Sequence, residues 1–129
     1  MDDFSSIDES GGSSFGVTGV MDWDSDKEIV IEQMMLSIVD RIEAVADGFF
    51  GHVKAIIESS NEWVSLNLVD ARIGVEKKGS MGAGKGSFKI MAVALDIDRY
   101  GLKSIVMECL SEVEGVSVSN LKPGLVIPR

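Results

Sequence analysis

The chain has 129 residues, 45% of them hydrophobic, with 12 basic and 21 acidic side chains and a formal net charge of −9, which suits one compact core better than two domains. No apolar run approaches the roughly 18 residues of a spanning helix, and the start Met1-Asp2-Asp3-Phe4 lacks the basic and apolar regions of a signal peptide. The single cysteine, Cys109, leaves no internal disulfide to form.

The expectation is therefore a cytoplasmic chain, or one held within a soluble assembly, with no membrane partner. The charge is unevenly spread. Residues 1–47 hold 12 acids and 2 bases, while the rest holds 9 acids and 10 bases. An acidic balance argues against general nucleic-acid binding, because duplex binders displace counterions with a basic face, but it leaves room for a local basic loop.

Residues 1–23, rich in Ser, Gly and acids, have the composition of a flexible arm with too little apolar surface to repay the entropy of ordering. The domain is expected over 24–129. Ser25-Asp26-Lys27-Glu28 matches a capping box. A helix follows, with Ile31, Met34, Met35, Ile38, Val39, Ile42 and Val45 at helical spacing and Gly48 as the stop.

Val53, Ala55 and Ile57 alternate with polar neighbours, which predicts a strand with one buried face. Val64, Leu66 and Leu68 keep that alternation. Val69, Ala71, Ile73 and Val75 then shift it by one residue, so a β-bulge near Leu68-Val69 or a break into two strands is expected. From Phe88 to Leu95 both alternating sets are apolar, the mark of a central strand covered on both sides.

Asp96 or Asp98 caps a second helix striped by Leu102, Ile105, Val106, Cys109, Leu110 and Val113 and ended by Gly115. Val116 to Ser119 forms a last strand, and Pro123-Gly124 turns the chain before Leu125-Val126-Ile127. The expected class is α+β, in the order α-β-β-β-α-β. A small antiparallel sheet is covered by two helices, with a ferredoxin-like arrangement as a variant.

Three motifs invite a chemical reading. Gly79 to Gly86 approaches the phosphate loop, but Gly86 stands where a hydroxyl is needed and a strand follows instead of a helix. The plainer reading is a long hairpin tip. Its flanking Lys77, Lys78, Lys85 and Lys89 form the candidate partner- or anion-binding loop. Asp22, Asp24 and Asp26 copy the first half of a calcium loop, but Lys27 replaces its glycine and Gln33 its bidentate glutamate. Acids favouring a helix N-terminus explain them better. Asp96 and Asp98 end an apolar strand, where carboxylates bind ligands in many α/β folds, but a cap is the simpler role.

His52 and Cys109 lie in separate elements and suggest neither a triad nor a zinc site. The expected function is non-catalytic, with no cofactor: a structural subunit acting through self-association or a protein partner. Ring-forming neck and tail-terminator subunits of phages are similar in their order of elements, a topological analogy without a motif. The alternative is a small regulatory domain binding a phosphate-containing ligand or a metal.

Overall fold

A computed structural model describes residues 12–46 and 51–123. The order is β1 (Gly12–Trp23), α1 (Ser25–Ala46), β2 (Gly51–Glu58), β3 (Trp63–Leu68), β4 (Glu76–Ser80), β5 (Gly84–Leu95), α2 (Arg99–Ser111) and β6 (Val116–Pro123). The α+β class is as expected, but the sheet has six strands in the order β4-β3-β2-β5-β1-β6. Every neighbouring pair is antiparallel.

The largest departure from expectation is β1. Its residues fall within the segment read as a flexible arm, yet they form a strand of 12 residues paired on both sides. Phe15, Val17, Met21 and Trp23 alternate inward and are buried, so apolar spacing outweighs the glycine and serine between them. The domain consequently takes in residues that the boundary at 24 would cut off. Residues 1–11 of the expected arm, Gly48 and the Leu125-Val126-Ile127 tail lie outside the described residues.

Side chains on one face of the sheet line up in rows across the strands. Leu68, Val53, Ala92 and Phe15 make one row, and Leu66, Ala55, Ile90 and Val17 the next. A third row is Val64, Ile57, Phe88 and Gly19. A Cβ on Gly19 would lie 2.1 Å from the Ser117 carbonyl oxygen and 2.7 Å from the Phe88 ring, so only glycine fits there. Beside it the register between β1 and β6 shifts, leaving Ser119 as the extra residue of a bulge.

Both helices lie on this face and join its core. From α1 come Ile31, Met35, Ile38 and Ile42, and from α2 come Leu102, Val106, Cys109 and Leu110. Each large side chain so buried contributes roughly 1.5–3 kcal/mol through removal from water. Val45, expected on the stripe, is 67% exposed instead. The helices are tied by Arg41, which reaches Glu108 at 3.0 Å and Glu112 at 3.4 Å, exposed pairs that add little.

Neither helix covers the opposite face, although Ile56, Met91 and Val93 are buried there. With those residues β5 is buried on both sides, as its double apolar pattern predicts.

The helix starts also differ in detail. Asp24, not Ser25, caps α1: its carboxylate accepts from the Lys27 amide at 2.8 Å. Glu28, released from the expected capping box, pairs with Lys77 of β4 at 3.0 Å. Asp98 caps α2 by accepting from the Gly101 amide at 2.7 Å, while Asp96 takes a left-handed φ of 61° in the turn before it.

The expected slip after Leu68 is a break between strands. β3 stops there, and Asp70 to Ile73 forms a turn that leaves Val69 63% and Ile73 85% exposed.

Candidate functional site

The four lysines nominated by the sequence do not converge on one loop. Lys77 and Lys78 lie in β4, and Lys85 and Lys89 in β5. Two intervening strands separate these pairs. Lys77 is engaged by Glu28 on the helix side, whereas Lys78 stands beside Ser65 on the other face. Lys85 is mostly exposed, 3.9 Å from Asp22.

The nominated acids are dispersed too. Asp22 is the next-to-last residue of β1, Asp24 caps α1, Asp26 sits in its first turn, Asp96 forms a turn and Asp98 caps α2. Among the described residues no group of three or more His, Cys, Asp or Glu is placed to hold a metal ion.

The glycine run resembling a phosphate loop has a structural use. β2, β3 and β4 follow one another as neighbours, and β5 returns to the far side of β2, a Greek-key arrangement. Only Met81, Gly82 and Ala83 bridge β4 to β5. Three strand spacings, roughly 14 Å, must be crossed, so the connection is nearly extended. It passes over the β2–β3 turn, where Glu62 accepts from the Gly82 amide at 3.3 Å.

Glycine suits the landings. Gly79 has a φ of 75°, and a Cβ on Gly86 would come 2.7 Å from Met81 and 2.8 Å from Ile57. The expected long hairpin tip is thus a short crossing between two strands.

A different group of residues forms a polar site. At the end of the sheet where β2 begins and β3 ends, on the face opposite the helices, an open cleft of about 400 Å³ is lined by His52, Asn67, Val69, Asp70, Ile73, Gly74, Glu76 and Lys78. Asn67 donates its amide to the Ser65 hydroxyl at 3.2 Å, which turns its oxygen towards His52 Nε2 at 2.8 Å. With the Asn67 oxygen facing it, His52 Nε2 is the donor of this bond. Two side-chain hydrogen bonds therefore fix the ring before anything binds.

The turn forming the wall is stapled separately. Asp70 accepts from the Arg72 amide at 2.9 Å, from Nε at 3.1 Å and from Nη2 at 2.8 Å. The Ile73 and Gly74 amides donate to the Asp70 carbonyl, each at 3.0 Å. The side-chain bonds from Arg72, followed by its backbone amide, hold the Asp70 carboxyl below the usual carboxylate range. Its charge is already matched, which makes Asp70 a wall and leaves Glu76 and Lys78 as the cleft's accessible charges.

Sequence reading nominated Lys78, set His52 aside as neither a triad member nor a zinc ligand, and passed over Ser65, Asn67 and Glu76. The signal was present: Ser65 and Asn67 occupy the positions alternating with Val64, Leu66 and Leu68, the same polar face as His52 and Lys54. Their meeting depends on the β2–β3 register. Cys109, the other lone reactive group, is buried, and burial pushes its thiol pKa up.

Compared with known protein families, with curated proteins and with solved structures, the chain finds no match in any of the three. No helix among the described residues is long and apolar enough to cross a membrane.

Proposed function

We propose that this chain is a non-catalytic assembly module whose copies join through the edge of β6, which has no second neighbouring strand among the described residues. The frame is a ferredoxin-like variant: β6-β1-β5-β2 with α1 linking β1 to β2 and α2 linking β5 to β6, extended by β3 and β4. The interleaved helical links support that reading.

The observation that carries self-association is the contrast between the sheet's two edges. β4 is guarded by Glu76, Lys77 and Lys78 and by the left-handed Gly79. On β6, Val116 to Ser119 carries no charge and Val118 is 43% exposed. The bulge at Ser119 bends the later part of the strand, so Val116 to Val118 is the straight portion offered for pairing. An unguarded edge is a template for another strand, and pairing β6 with its own copy about a two-fold axis keeps the sheet antiparallel.

A second reading, a ring, is compatible with the alternation of all six strands but has to use the guarded β4 edge. A β4 edge meeting the next copy's β6 edge also stays antiparallel, and repetition of that heterologous joint closes a ring. Absolute mass of the full chain by light scattering distinguishes them. A dimer is expected, reduced to monomer by Val118→Lys; a larger closed oligomer supports the ring. A monomer from micromolar to millimolar concentration overturns both.

A further inference from the structure

We propose that the cleft around His52 binds a small zwitterion with an apolar side chain, the chemistry of a free aliphatic α-amino acid. The inference is independent of how copies of the chain join. Its basis is the combination of groups that the β2–β3–β4 register brings to one place.

Glu76 and Lys78 stand two residues apart on the same face of β4, beside Asn67 and Ser65 respectively. Both are exposed, and neither makes an ion pair among the described residues. This differs from Lys77 between them, which is held by Glu28 on the other face. The cleft therefore presents one cation and one anion side by side, with Asp70 already neutralised by Arg72.

A simple anion entering here gains Lys78 but is repelled by Glu76. A simple cation meets the reverse. A molecule carrying a carboxylate and an ammonium on adjacent atoms satisfies both charges at once.

The remaining lining specifies the rest of the ligand. His52 is fixed by Asn67 and offers a further hydrogen-bond position without needing to be reordered. Val69 and Ile73 are large aliphatic side chains left 63% and 85% exposed on a turn whose backbone is stapled by Asp70. They stand at the same cleft as the charges, so an aliphatic ligand side chain has a surface to cover. The volume of about 400 Å³ lies at the lower end of the roughly 300–1,000 Å³ typical of ligand pockets. Openness to solvent implies weak binding, with Kd of about 1 mM.

The test is titration of the full chain with L-leucine, followed by the ring-proton NMR signals of His52. As His52 is the only histidine, those signals need no sorting from others. Saturable shifts are expected, together with about tenfold weaker binding in each of Lys78→Ala and Glu76→Gln. Isocaproate, which lacks the ammonium, and isopentylamine, which lacks the carboxylate, should each bind the unaltered chain about tenfold more weakly than leucine.

The analogue comparison needs no altered protein and so stands even if a variant misfolds. No saturable shift with leucine overturns the proposal. Equal binding of leucine and either half-analogue does so as well, as does undiminished binding in both folded variants.

Discussion

The two faces of the sheet divide the work of the molecule unequally. Under the helices, row after row is apolar: Phe15, Phe88, Ile90 and Leu66 are all buried to 1% exposure or less. On the other face, polar side chains dominate the β2–β3–β4 end, where His52, Asn67 and Ser65 hold one another beside accessible Glu76 and Lys78. The helix-side face thus carries most of the apolar burial, while the other face, although Ile56, Met91 and Val93 are buried on it, exposes polar groups at its β2–β3–β4 end. An antiparallel sheet allows its two faces to differ in this way.

The comparison is broken or sharpened first by Phe88→Ala. Phe88 sits at the centre of the helix-side rows, so the cavity left behind should cost about 3–5 kcal/mol in chemical denaturation. Asn67→Ala on the opposite face removes one hydrogen bond to half-buried His52 and one to Ser65 and should cost about 1 kcal/mol. It should also broaden the His52 ring signals by freeing the ring. If the two substitutions prove equally destabilising, the division between the faces is wrong.

The smallest effect concerns the cleft wall. Asp70 has its pKa lowered by Arg72, so the clasp is fully present above the ordinary carboxylate pKa and is lost as pH falls through the lowered value. The Arg72 amide should titrate with that transition in NMR, while the melting temperature barely moves because Arg72 is solvent-exposed and Asp70 only partly covered. Arg72→Ala should raise the Asp70 titration towards the ordinary carboxylate range without reaching it, because the amide of residue 72 still donates to the carboxylate.

Much of this fold is visible in the sequence because its helices and inner strands have distinct periods. The stripe from Ile31 to Ile42, the alternation at Val53-Ala55-Ile57 and the doubly apolar run from Phe88 were sufficient to place α1, β2 and β5. β1 was obscured by composition. Its spacing of Phe15, Val17, Met21 and Trp23 is regular, but Gly19 stands where another inward side chain would be expected, and serine and glycine fill the gaps. Gly19 is small because Phe88 and the β6 backbone occupy the room, a tertiary cause that no local window reveals.

The same limit applies to β4 and the cleft. Glu76 to Ser80 has the look of a charged loop because an edge strand needs no buried side chain, and charges there are a protection. Val69 and Ile73 carry a strand-like pattern but lie in a turn that Asp70 and Gly74 dictate. The histidine could be assigned to the polar face from alternation alone. Its partner could not, since that requires knowing which residue of β3 is opposite.

The position of β1 has a consequence for how the protein is made. Its partners on the two sides are β5 and β6, both of them late in the chain. As the ribosome extends the polypeptide, this first strand has no neighbour to pair with until residues 84–95 appear, and its second side stays open until the last strand is released. Pairings of such long sequence separation are slow to form, and an unpaired strand held open meanwhile is exposed to other nascent chains. The synthesis of this small domain is therefore nearly complete before its sheet can close.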